Sequence, residues 1–323
     1  MARLLRLGMV GGGHGAFIGA VHRIAARPDG IDAVAIVTPN HLHAGPAVAF
    51  LRAGIRVICD KPLAATPAQA EAIAAAVAAS GRHFVLTHTY AGYPLVRQAR
   101  ARVAAGALGD IRLVQVEYAQ GWLAAAETGK QAAWRTDPAQ AGAGAIGDIG
   151  THAFHLAGFV SSLSVAELAA DLSSMVPGRA VDDDARILLR FDGGARGMLW
   201  ASQVAVGCEN GLRLRVFGTE GGIDWHQENP NVLILDRRGA PRQVMTRAGA
   251  GAPPGGLAGT RIPAGHPEGY LEAFATLYAE AAALIRGEAP GTPPPGLADG
   301  LAGMRFIAAC EASHRANAAW VAL

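Results

Sequence analysis

Four short stretches combine residue types that hold phosphate or move protons. Gly11-Gly12-Gly13-His14-Gly15-Ala16 fits G-x-G-x-x-[GA]. Glycines there let the chain turn tightly and bring amides against a pyrophosphate at the positive end of a following helix, which points to dinucleotide binding. Thr38-Pro39-Asn40-His41-Leu42-His43 and Cys59-Asp60-Lys61-Pro62 each close a short apolar run. The second offers an ammonium on a loop whose direction the proline fixes. In Gly147-Asp148-Ile149-Gly150-Thr151-His152, the carboxylate and the imidazole are four residues apart. On a helix they share a face, where Asp148 orients the His152 ring, and a histidine near its ordinary pKa is suited to take a hydroxyl proton. Trp134 and Arg135 supply a stacking surface and a multi-donor cation for a polyol or for a structural loop. His266 stands before a helix expected to face the cleft. A different reading makes His41, His43, His152 and His155 metal ligands of a hydrolase. The glycine loop and the short strand count speak against it, and no metal is expected.

Parallel strands with crossover helices must position the first three stretches, because the first hundred residues alternate β-branched runs with helical patterns. The spacing predicts strands over Leu5–Val10, Ala33–Thr38, Ile55–Cys59 and Phe84–Thr87, and helices over Phe17–Ala26, Pro46–Arg52 and from Thr66 to near Gly81. Thr66, Pro67 and Gln69 form a reciprocal amino-terminal cap. In open parallel sheets, ligands bind outside the carboxyl ends of the strands, where the Thr38 and Lys61 loops fall. After a helix over Leu95–Ala105, strict alternation in Ile111–Tyr118, Ala185–Phe191, Arg196–Val204 and Leu212–Val216 predicts an antiparallel sheet. Gly249–Gly259 reads as a loop, followed by helices from Pro267 and over Leu297–Trp320. A boundary near Gly106 gives two units, 1–106 and 107–323.

Composition narrows the partners. Twenty-eight basic against 26 acidic residues in 323 give a formal +2, without the clustered positive field that nucleic acid requires. No apolar run reaches the roughly 20 residues of a membrane span. Three widely spaced cysteines and a start without a cleavage signal lead to the expectation of a cytoplasmic protein.

Taken in order, the glycine loop with Gly19-x-x-His22, Thr38-Pro39-Asn40-x-x-His43, Lys61-Pro62 and Asp148-x-x-x-His152 resemble the glucose-fructose oxidoreductase, inositol dehydrogenase and rhizopine-catabolism (Gfo/Idh/MocA) family over nearly the whole chain. The resemblance implies a Rossmann-like α/β domain followed by an α+β substrate-binding and oligomerisation domain with an open-faced, mainly antiparallel sheet. It implies NAD or NADP as cofactor and a sugar, cyclitol or related polyol oxidised or reduced at a secondary alcohol carbon. Lys61, Asp148 and His152 would be catalytic. Gly11, Gly13, His14, Gly15, Ala16, Thr38, Pro39, Asn40, His43 and Lys61 would contact the cofactor. Lys61, Trp134, Arg135, Asp148, His152, His155 and His266 would surround the substrate. A homodimer or homotetramer through the open sheet is also implied, and a non-enzymatic descendant kept for binding or assembly is the alternative.

The chain departs from that pattern at Asp60, where the family more often has glutamate, and more deeply between His22 and Thr38. There about 40 residues are absent, those that would form strands 2 and 3 of the 3-2-1-4-5-6 order. The first strand is then expected beside the family's fourth, and the rule of right-handed crossovers requires either that the first helix change face or that the segment be missing from the recorded sequence. Asp29 and Asp32 lie too close to the glycine loop to be presumed ribose readers.

Overall fold

A computed structural model of the chain describes residues 6–13, 17–26 and 32–323. β1 (Leu7–Gly11), β2 (Ala33–Val37), β3 (Arg56–Cys59) and β4 (Phe84–Leu86) pair in parallel in that order, with β1 directly beside β2. Every residue of β2 is buried, so its unbroken run Ala-Val-Ala-Ile-Val needs apolar cover on both faces. α1 (Phe17–Ala26) lies on one face, where Val21 clusters with Ala33, Ile58 and Val85. α2 (Ala44–Arg52) and α3 (Pro67–Ser80) lie on the other, packing Leu51 and Ile73 with Val34, Val57 and Leu86. Thr66 caps α3 through the Gln69 amide, while the Gln69 side chain accepts from Ala65 N.

The first helix therefore does not change face. β1–α1–β2 and β2–α2–β3 step the same way across the sheet with helices on opposite faces, so these two crossovers have opposite hands. The side chains of α1 account for this. Val21 belongs to a cluster with Phe274 and Tyr278, and His22 bonds Tyr278 and Asp60, partners found only on that face.

α4 (Pro94–Ala104) leads into a nine-stranded sheet. β5 (Ile111–Ala119) is followed by α5 (Lys130–Arg135), α6 (Pro138–Ala141), a π-turn over Ile146–Gly150 and α7 (Thr151–Ser161). β6 (Val165–Ser173), β7 (Asp184–Phe191), β8 (Arg196–Ser202), β9 (Gly211–Gly218), β10 (Gly221–His226), β11 (Val232–Arg237) and β12 (Gln243–Thr246) come next. α8 (Pro254–Ala258), α9 (Tyr270–Ile285), α10 (Leu297–Arg315) and β13 (Val321–Ala322) complete the chain. The sheet runs β12-β11-β10-β9-β5-β8-β7-β6-β13, antiparallel except for β5 against β8. α4, α7 and α10 cover one face, where Val114, Val116, Leu189, Leu199 and Leu214 are buried. α9 packs on α1.

Three expectations are corrected. A single turn, α8, interrupts the Gly249–Gly259 loop. α9 starts at Tyr270 instead of Pro267, because the buried Glu268 carboxylate accepts the Arg261 and Ile262 amides and Glu272 caps Gly269. α10 stops at Arg315, and Asn317 and Ala318 turn with positive φ before Trp320.

Candidate functional site

The glycine loop leaves the carboxyl end of β1 with Gly11 at φ 86° and Gly12 at φ 63°. A Cβ on Gly12 would lie 2.7 Å from Gly19 Cα, so this pair sets how closely the loop approaches α1. A Cβ on Gly13 would meet nothing within 4 Å and would project into open space, leaving bare backbone for a ligand. His14, Gly15 and Ala16 lie outside the described residues.

Next to this loop, the carboxyl end of β2 continues into Thr38-Pro39-Asn40. His43 spans the carbonyls of Pro62 and Thr38, each at 3.0 Å, and so fastens the Asn40 loop to the Lys61 loop. Burial lowers the pKa of this ring, although Asp60 and the carbonyls oppose the shift. Asn40 Nδ2 donates to Ala141 O at 2.8 Å and ties the parallel sheet to α6. Burial alone would raise the Asp60 carboxyl, but His22 and Thr87 outweigh it and hold the group below its ordinary value.

These loops open on a cavity of about 790 Å³, whose walls include Gly13, Thr38, Lys61, Trp134, Asp148 and His152. Lys61 follows β3 and donates to both the carbonyl and the carboxylate of Asp148, the latter at 2.9 Å. Asp148 Oδ2 also accepts from Arg135 Nε at 3.1 Å and Gln203 Nε2 at 2.9 Å. Burial by itself would push this carboxyl up. The Lys61 and Arg135 cations overcome it and keep Asp148 ionised well below the usual carboxylate range. Arg135 stacks on Trp134, its guanidinium carbon 4.2 Å from the ring centroid.

Asp148 does not orient His152, contrary to the helical-face expectation. The π-turn inserts an extra residue between them, which carries the carboxylate off the imidazole's face toward Lys61. His152 lies instead among rings, with centroids 4.9 Å from Tyr90 and 5.5 Å from His88, and its buried Nδ1 has no partner among the described residues. Burial, then the charges of Lys61 and His155, lower its pKa well below 6.5, so the ring is a neutral acceptor.

Pro39, Asn40 and Arg135 also line the cavity, whereas His43, His155 and His266 do not. His155 stacks on His88 at 4.2 Å and sits 3.5 Å from Asp299. His266 is exposed on a turn where its carbonyl accepts from Arg247. His41 sits against Gln140, so the four histidines of the hydrolase reading do not converge on one point.

Sequence reasoning missed one wall. Tyr118 donates to Asn210 Oδ1 at 2.7 Å, Gln120 donates to the same oxygen at 2.8 Å, and Tyr90 joins the Tyr118 hydroxyl. Burial raises both phenols, so they remain hydroxyls. These residues come from separate elements and carry no spacing signal. Tyr118 and Gln120 alone, at the end of a recognised strand, could have been nominated.

Two family models match the chain: residues 6–88 fit an oxidoreductase-family NAD-binding Rossmann fold, and residues 96–224 fit a GFO/IDH/MocA C-terminal domain. An uncharacterized oxidoreductase of Bacillus subtilis (strain 168) is 34% identical over 310 residues, 92% of this chain and 79% of that protein. The crystal structure of an oxidoreductase from Sinorhizobium meliloti is 46% identical, with TM-score 0.90, covering 99% of this chain and all of the other. An inositol dehydrogenase homolog from Azotobacter vinelandii, complexed with NADH and myo-inositol, is 32% identical with TM-score 0.91, covering 100% of this chain and 98% of that one.

Proposed function

The chain belongs to the Gfo/Idh/MocA oxidoreductases and carries their NAD-binding Rossmann domain, and on that basis we propose that it oxidises or reduces a secondary alcohol carbon of a sugar, cyclitol or related polyol. One observation carries the reading: the bare backbone at Gly13, the Lys61 ammonium and the neutral His152 imidazole face a single cavity. The residues fit a nicotinamide dinucleotide, with Gly11–Gly13 and the Thr38–Asn40 loop to hold it. When bound, the nicotinamide supplies the hydride acceptor or donor.

In the oxidation direction, His152 takes the hydroxyl proton while the carbon gives up its hydride. His152 is neutral and so can accept this proton, but burial and the neighbouring charges make it a weaker base than an ordinary imidazole, so the transfer relies on Lys61 stabilising the developing alkoxide. Lys61 spends two donors on Asp148, which aims the ammonium and leaves its third hydrogen for the developing alkoxide. Asp148 thus holds Lys61 and Arg135 in place, and the Asn210 and Tyr118 wall offers donors and acceptors to the remaining hydroxyls. The roles assigned here to Lys61, Asp148 and His152 belong to the proposal, as does the division into 1–106 for the cofactor and 107–323 for substrate and assembly.

The test is turnover of a panel of cyclitols and sugars, followed by nicotinamide absorbance. His152→Ala should lower kcat on the best substrate by about 10² to 10⁴. Near-full turnover in that variant would overturn the assignment.

A further inference from the structure

A nicotinamide dinucleotide is commonly sorted from its 2′-phosphorylated form by a residue about 20 positions beyond the glycine loop, at the carboxyl end of the next strand. Counting from Gly13 nominates Asp32, 19 positions on. The structure puts Asp32 at the opposite end of the sheet. It immediately precedes Ala33, which pairs with Leu7, whereas Val37 pairs with Gly11. Its carboxylate lies 3.9 Å from Arg6, the residue before β1. Five residues separate Asp32 from the level of Gly11, so at about 3.3 Å each the carboxylate is roughly 17 Å from the glycine loop.

Among the described residues the topology offers no other strand to take its place. β2 is hydrogen-bonded to β1, and its carboxyl end leads into Thr38-Pro39-Asn40, which lines the cavity shared with Lys61 and His152. On its other side, β1 has no partner among the described residues. The sequence allows only five residues between Ala26 and Asp32, against the roughly 30 that a strand-helix-strand unit takes. The side of the sheet on which a dinucleotide's adenosine ribose is ordinarily read is the side that this chain shortens.

We infer that the cofactor site recognises the nicotinamide and pyrophosphate part of the dinucleotide and does not read the ribose 2′ position, so that NADH and NADPH bind alike. The inference rests on the cofactor reading proposed above and deepens it. The experiment is titration of the full-length protein with NADH and, separately, NADPH, followed by nicotinamide fluorescence, in the native chain and in Asp32→Asn.

Dissociation constants within about threefold of each other, with the ratio unchanged in Asp32→Asn, are expected. A preference of tenfold or more for either form would overturn the inference and leave the cofactor reading standing. A ratio that moves more than threefold in Asp32→Asn would also overturn it, by showing that Asp32 reads the ribose. Binding of neither form at millimolar concentration would overturn the cofactor reading and the inference together, a result distinct from unequal binding.

Discussion

His152 owes its neutrality to its neighbours, and they can be changed one at a time. His155, one turn along α7, stacks on His88 and faces Asp299, and its charge is among the causes that lower the His152 pKa. Lys61 and the rings of Tyr90, Tyr118 and His88 also surround His152; substituting His155 leaves Lys61 and the tyrosines in place, and removes the stacking partner of His88. Removing His155 lets the His152 pKa rise, so in His155→Asn the acid limb of kcat/KM for alcohol oxidation should move to higher pH. A limb that stays put while stability falls would show His155 to be structural only. At Asp148 the sign is opposite. Its folded pKa lies below the unfolded value of about 3.9, so the stability it contributes is present above that pH and is lost as pH falls through the folded pKa. In Lys61→Met, turnover should fall by about 10² to 10³. The deficit in melting temperature against the native chain should be largest at neutral pH and shrink below about pH 4. A deficit independent of pH would mean that the Lys61–Asp148 pair does not act through charge. Lys61, Asp148 and His152 were all legible as chemistry-bearing residues. That Asp148 holds Lys61, 87 positions away, and not His152 was not legible, because a π-turn has no simple sequence signature.

Elements were most legible where local chemistry and burial agree. α1 and α3 begin and end within a residue or so of where glycines, caps and periodicity place them. β6 went unseen because Val165-Ala-Glu-Leu-Ala-Ala-Asp-Leu-Ser is built from good helix formers, and pairing with β7 decides its state. The face taken by α1 was misread because a rule about crossovers speaks only to connection, whereas the cluster of Val21 with Phe274 and Tyr278 is a tertiary fact. The element that carries Asp148 is held by another contact of long range. Asp182 accepts the amides of Gly144 and Ile146, each at 2.8 Å, at the entry to the π-turn. Gly144 runs so close to this partner that a Cβ would stand 1.8 Å from Asp182 O, a backbone atom. Gly144→Ala should therefore cost about 3 kcal/mol in urea unfolding. It should also slow turnover, because the π-turn must shift. A change within about 0.5 kcal/mol would show that the loop yields freely, as ordinary surface sites do.

At the scale of the molecule, the nine-stranded sheet has a face that nothing among the described residues covers. α4, α7 and α10 lie on its buried side, and the turn at Pro254–Ala258 packs on α4, so α10 and the 249–259 segment are already committed there, while α9 packs on α1. Leu113, Leu188 and Met198 on the opposite face remain 49, 54 and 45% exposed. They are neighbours across strands, Leu188 against Met198 on β8 and Leu113 against the half-exposed Phe217 on β9. Arg186, Glu117 and Arg213 form an adjoining row of both signs. The four apolar side chains of this patch are neighbours and not scattered singly, as ordinary surface apolar residues are. A two-fold axis through it would bring Leu188 and Met198 against their own copies and set Glu117 within reach of arginines of the second copy. We propose that two chains associate through this face, as a dimer or as half of a tetramer. Met198→Asp places a charge at the centre of the patch, on a side chain that makes no core contact, so folding should survive while association fails. Sedimentation equilibrium at micromolar concentration should give at least twice the 33.1 kDa chain mass for the native protein and a single chain for the variant. A native protein at 33.1 kDa, or a variant that associates as tightly as the native chain, would show that this face is not where copies meet.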